Sequence, residues 1–200
     1  LYKKASERTV ELQDVNASAQ MRALSTAIDS YLKDNFARIT KGESITNSNN
    51  DTADFSGFEA VNDSTKTVVL TIRHFADYLP YGFLKDNGDP RETKLFEDDY
   101  NVIIKLENDV KNVDGVNKLM SQTLTGFVTA TPKNSEEIDP VRASRIASMI
   151  GSNGGYVITE EGKQVAMGAQ GIWSVPTSEF SGLTLADNSF VVSSVQPISS

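Results

Sequence analysis

One histidine, 27 acidic side chains and no cysteine are the raw material for any chemistry this chain performs. His74 stands three residues before Asp77, a spacing that puts both on one side of a helix, so an exposed His–Asp contact is expected. A Ser-His-Asp triad would have to recruit His74, and no nucleophile elbow accompanies it. One imidazole cannot build a two-histidine metal site. Without cysteine there is no thiol nucleophile, thiolate zinc site or disulfide. Carboxylate oxygens are the remaining cation ligands, and two stretches, Asp86 to Glu92 and Glu97 to Asp99, are dense in them. Asp109-Val-Lys-Asn-Val-Asp-Gly115 mimics a calcium loop but offers Lys111 and Val113 where oxygen ligands belong. All three read as solvated acidic loops. Gly151-Ser-Asn-Gly-Gly155 follows a helix and precedes a strand, the reverse of a phosphate loop, and lacks that loop's lysine; it reads as a helix C-cap and turn. No catalytic, metal or cofactor residue stands out, and a non-enzymatic protein is expected. Of the 27 acids, no two are marked out as a glycosidase pair.

With 200 residues the chain is expected to form a single domain over 1–200, its core large enough to fold without staples. A net charge of −8 argues against nucleic acid as partner, because phosphate affinity comes from Lys and Arg. An anionic membrane surface is disfavoured for the same reason. The excess acid is concentrated in residues 46–115, which carry fourteen acids against seven bases. No apolar run approaches the roughly 18 residues of a spanning helix. The chain begins at Leu1, as expected of a processed or trimmed product whose targeting segment lies upstream.

The first 40 residues contain no Gly or Pro. Their apolar positions Val10, Ala17, Met21, Leu24, Ile28, Tyr31, Leu32 and Ile39 recur at helical spacing, which predicts a helix over 1–41 ended by Gly42. Met21, Leu24, Ile28, Tyr31, Leu32 and Ile39 form the face expected to lie on a sheet. A second stripe, Leu1, Ala5, Leu12, Val15 and Ala19, fades after Ala23, and this N-terminal half is expected to meet other subunits or a membrane segment upstream. Forty residues make a rod of about 60 Å, against roughly 35–40 Å for a compact domain of this size, so part of it should protrude. A coiled-coil heptad can also be written, but Asp14 and Asn35 interrupt its seam.

Residues 43–66 are polar and read as a long connecting loop; two glycosylation sequons in it read as ordinary loop chemistry. Residues 67–200 are expected to hold small helices and an antiparallel sheet. Thr67 to Phe83 places Leu70, Phe75, Tyr78 and Leu79 on one side of a short helix that Pro80 stops. Tyr100 to Leu106 and Lys118 to Thr131 read as strands that pair antiparallel across the Asp114-Gly115 turn. Asp139 caps a helix with Pro140 first and Val141, Ile146, Met149 and Ile150 inward. Tyr156–Thr159 and Gln164–Met167 read as a hairpin, and Phe190–Val195 as a last strand. The order predicts α+β, a long N-terminal helix packed on an antiparallel sheet.

Three segments carry a family resemblance: Tyr78-Leu-Pro-Tyr-Gly-Phe83, the helix from Ile138 to Gly151, and the run from Gly154-Gly-Tyr-Val157 to Gly168-Ala-Gln-Gly-Ile-Trp173. Together with the opening helix ending in Tyr31-Leu-Lys-Asp-Asn-Phe36, they resemble type IV pilus minor pilins of the PilV kind. The likeness is to the constant N-terminal part of shufflon-type conjugative pilus adhesins, over residues 1 to about 180. It implies a type IVb pilin fold, other pilin subunits as partners and a cell-surface receptor bound through a region outside this chain. It also implies an upstream membrane helix, an inner-membrane stage with the globular domain in the periplasm, and a final place in an extracellular pilus. The prepilin cleavage site and early glutamate of that family would lie upstream of Leu1, and the disulfide common among pilins has no cysteine to form it. An extracytoplasmic ligand-binding or sensor module anchored by an upstream helix is the second reading, and a hydrolase with acidic catalytic residues the third.

Overall fold

The computed structural model describes residues 2–90, 99–194 and 198–199. Helix α1, Tyr2–Thr40, ends in a Schellman motif. Gly42 takes φ 73°, its N–H bonds the Ile39 carbonyl, and the Glu43 N–H reaches back to Arg38. The rod is about 58 Å long. Among the described residues, no helix is long and apolar enough to cross a membrane.

The segment after α1 is not one connecting loop. Strands β1, Ser44–Thr46, and β2, Thr52–Asp54, form a hairpin that buries Ile45 and Ala53, while Phe55 and Phe58 pack edge to face behind it. Each strand alternates polar, apolar, polar, a period of two that the surrounding Asn, Asp and Ser conceal. Nor does a helix begin at Thr67. Residues Lys66–Leu70 form β3, as the β-branched Thr67-Val68-Val69 run favours, and only Ile72–Phe75 make a 3₁₀ turn.

Strands β4, Asp99–Val113, and β5, Val116–Thr131, pair antiparallel around Asp114-Gly115, both at positive φ as a tight hairpin turn requires. Both are longer than the sequence pattern suggested. The Asp109–Gly115 stretch is thus the end of a ribbon and not a loop. Helix α2, Pro140–Ile150, starts on Asp139, whose Oδ1 accepts the Arg142 N–H at 2.8 Å. Ala143, Ile146, Ala147 and Ile150 form its buried stripe and Met149 is half-buried. Val141, expected inward, is 74% exposed, because it lies outside the three-and-four spacing of that stripe.

Strands β6, Gly154–Glu160, and β7, Lys163–Gly168, form the expected hairpin. Strand β8, Ser174–Pro176, borders β7, and β9, Phe190–Ser193, ends two residues earlier than expected, Val195 lying outside the described residues. With β10, Ile198–Ser199, on β5, the sheet has eight antiparallel strands in the order β3-β4-β5-β9-β6-β7-β8. Its last long strand, β9, therefore sits at the centre, between β5 and β6. The fold is α+β.

Alternate residues of the sheet feed two cores. Val102, Ile104, Leu106, Leu124 and Val128 meet α1 and α2, and Ile103, Phe127, Val157 and Val191 meet Phe180 and Leu185 on the other side. Gly126 lets α1 approach: a Cβ there would stand 2.5 Å from Ile28 Cγ2.

Candidate interaction surface

Met21, Leu24, Ile28, Tyr31, Leu32 and Ile39 are all buried between α1 and the sheet. The same helix also buries polar residues, Asp14, Ser18, Ser25, Asp29 and Asn35, of which Asp14 and Asn35 are the ones that break the heptad. Asp14 is fully buried and accepts Arg142 Nη2 at 2.8 Å, Arg142 Nε at 3.0 Å and Arg145 Nη2 at 3.2 Å, which ties α1 to α2. Asn35 gives its amide to the Tyr31 carbonyl and accepts Arg38. Both are satisfied within the chain, as buried polar groups must be.

On the face opposite Asp14 and Ser18, residues 12–19 of the helix meet solvent. Leu12 is 63% and Val15 48% exposed, and Ala19 is exposed beside them. Leu1 lies outside the described residues, as does the side chain of Ala5. Next to this stripe runs a shallow groove of about 450 Å³ between α1 and α2, lined by Val10, Val15 and Met149 together with Glu7, Glu11 and Arg145. The chain therefore presents apolar surface on the N-terminal half of the helix.

His74 is not on an exposed helix beside Asp77. It is 2% exposed, with Nδ1 at 3.0 Å from Asp51 Oδ1 and Nε2 at 2.7 Å from the Tyr31 hydroxyl. Asp77 instead holds Ser48. A neutral ring donating from Nδ1 to Asp51 and accepting the phenol proton at Nε2 satisfies all three groups. The order carboxylate, imidazole, hydroxyl has the form of a nucleophile relay, but its hydroxyl is a phenol sealed in the core. Burial pushes the Tyr31 phenol well above its usual range, which opposes its ionisation. The cluster can pin β1, β2 and the turn after β3 onto α1; it cannot present a nucleophile to a substrate.

The polar hollow above Asp51, about 530 Å³, is bordered by Ser48, Asn50, Arg73, Asp86 and Asn87. Arg73 is taken by Asp89 at 2.9 Å. Of the two acidic stretches, residues 91–98 lie outside the described residues. Among the described residues, no three His, Asp or Glu side chains converge as a metal would need.

The glycines around Gly151–Gly155 make room for packing. Gly151 caps α2, Gly154 lies against Ile150, and Gly155 and Gly168 leave space for the Trp173 indole, whose Nε1 donates to the Ser152 carbonyl at 3.0 Å.

The sequence pattern did not mark the end of the β4–β5 hairpin as a surface. Val116 is 60% exposed there, with Leu119 and Met120 also in solvent. The Asp114-Gly115 turn signalled the reversal, but how far the ribbon outruns its neighbours depends on strand lengths that short-range pattern does not set.

Comparison of the chain with protein-family models, curated proteins and solved structures finds no match in any of the three. The class stated by the structure is accordingly a general one, an α+β domain with a long N-terminal helix on a large antiparallel sheet.

Proposed function

We propose that this chain is the globular part of a non-enzymatic minor pilin subunit of a type IVb pilus. It acts in assembly initiation or tip presentation, and serves adhesion or recipient-cell recognition through a receptor-binding region outside the chain. The observation that carries this reading is the division of α1. Its C-terminal half is consumed by the sheet, while its N-terminal half holds Leu12, Val15 and Ala19 in solvent, as a helix that packs among neighbouring helices in a filament would. The partners are other pilin subunits. The subunit is held in the inner membrane by an upstream helix, with this domain in the periplasm, until it enters the extracellular pilus.

The test uses the full-length gene product in a pilus-bearing host. The wild-type protein should appear in filaments sheared from the surface. Leu12→Asp should fold normally, since a substitution so exposed shifts stability by no more than about 0.5 kcal/mol, yet be missing from the filaments. Absence of the wild-type chain from filaments, or full incorporation of Leu12→Asp, would overturn the proposal.

A further inference from the structure

The β4–β5 ribbon outruns the sheet. Pairing with β3 stops at Leu106, pairing with β10 stops at Thr123, and beyond them the two strands pair only with each other among the described residues. Asn108 still reaches the Ala60 and Asn62 carbonyls, so residues 109–113 carry an arm of about 17 Å past its neighbours. One of its faces has an unfavourable design for a lone subunit. Lys111 and Lys118 are direct cross-strand partners, both exposed, and beside them Val113 is paired with the exposed Val116. Like charges placed opposite one another destabilise a ribbon.

The groove between α1 and α2 shows the same feature with the sign reversed. Glu7 and Glu11 stand four residues apart on α1, both exposed, a like-charge spacing that destabilises a helix. Val10, Val15 and Met149 line the groove with them. Among the described residues, none of the two lysines and two glutamates is in an ion pair within 4.0 Å. Arg145 also lines the groove but is held by Asp14 at 3.2 Å, and Asp109 and Asp114 share the arm, so the complementarity is local: the lysine pair beside Val113 and Val116 matches the glutamate pair beside Val10 and Val15.

We propose that the arm of one copy docks in the α1–α2 groove of a second copy, Lys111 and Lys118 against Glu7 and Glu11. The two surfaces differ, so a one-way contact is head to tail and propagates as a ring or an open chain, whereas a reciprocal exchange of arms closes as a two-fold dimer; the proposal is the one-way contact. As a filament contact, it rests on the pilin-subunit reading; as self-association, it does not.

Because the chain has no cysteine, cross-linking can be placed at will. Val116→Cys is introduced in one preparation of the 200-residue chain and Val10→Cys in another, and the mixture is oxidised. The mixed pair should exceed either homodimer by about tenfold, and a chain with both substitutions should give a ladder of oligomers. Lys111→Glu with Lys118→Glu should lower the mixed yield about tenfold, and Glu7→Lys with Glu11→Lys in the partner should restore it. Arm-to-arm homodimers in excess, a statistical mixture, or indifference to charge reversal would overturn the docking. In whole filaments the two ideas separate. Normal incorporation of the lysine-reversed chain sinks the arm contact alone, and absence of the wild-type chain sinks the subunit reading alone.

Discussion

Replacing Asp14 by alanine is expected to destabilise the domain by about 2–3 kcal/mol, and the figure follows from what the substitution strands. Asp14 is 1% exposed in its side chain and takes three guanidinium N–H groups on its two oxygens, at 2.8, 3.0 and 3.2 Å. Removing one partner of a fully buried ion pair costs about 3–5 kcal/mol, because the other charge is left without a partner. Here the two cations differ. Arg145 is 52% exposed and recovers its hydration by a rotamer change, whereas Arg142 is only 22% exposed and recovers less water, though it keeps Gln13 Oε1 at 3.4 Å. The loss should therefore fall below that range, and Tm should drop by about 4–12 °C for a chain of this length. Urea and thermal unfolding followed by far-ultraviolet circular dichroism measure the total. Hydrogen exchange over residues 6–20 measures where it falls, because this bridge ties the first half of α1 to α2. Asp14→Asn, which keeps the shape and one acceptor, should lose less than Asp14→Ala. A change under about 0.5 kcal/mol in Asp14→Ala, or unaltered exchange in residues 6–20, would refute the view that the bridge holds that half of the helix.

Gly126→Ala should cost about 1–3 kcal/mol, since the new Cβ meets Ile28 Cγ2 at 2.5 Å, and the cost should shrink when Ile28→Ala removes that methyl; a double-mutant cycle by urea unfolding checks both. Asp139→Ala should lose about 1 kcal/mol through the missing cap of α2, read from Tm. The phenols of Tyr31 and Tyr78 are both raised, Tyr31 by burial and Tyr78 by burial and then by its hydrogen bond to Asp34. A raised phenol favours folding fully below its unfolded value near about pH 10 and loses that contribution as pH climbs above it. Stability should accordingly fall on the alkaline side of about pH 10 and fall less steeply in Tyr31→Phe, with tyrosinate absorbance rising as unfolding proceeds.

The parts of the fold legible in the sequence are those set by local spacing. The α1 core face, the Asp139-Pro140 start of α2, and the turn at Asp114-Gly115 each depend on residues within about one turn of one another. What was misread depended on partners far along the chain. Thr67–Leu70 is extended because β4 is there to pair with it, through contacts such as Val69 to Ile103. The β1–β2 hairpin is worth forming because Ile45 and Ala53 drop onto a core built by α1 and β4. His74 is buried because Asp51 and Tyr31, 23 and 43 residues away, meet its two nitrogens. For the candidate surface, Leu12 and Val15 could be read from the 100° step, and the pairing of Lys111 with Lys118 follows from the two-residue turn at Asp114-Gly115. The register shift between Asp109 and Val110, which leaves Met120 without a partner across the ribbon, could not be read.

The two residues that break the coiled-coil heptad also decide how α1 can associate. Asp14 and Asn35 occupy positions where a dimer seam would need apolar side chains, and the structure turns both inward, onto Arg142 and Arg145 and onto Tyr31 and Arg38. The seam that a second helix would use is thereby spent on the chain's own sheet and on α2. Among the described side chains of its first half, α1 leaves Leu12, Val15 and Ala19 exposed on the opposite side. In the assembly we propose, a contact beyond the helix adds to this stripe. The exposed arm of β4 and β5, with Lys111 and Lys118 to set against Glu7 and Glu11 of the groove, is where we place it.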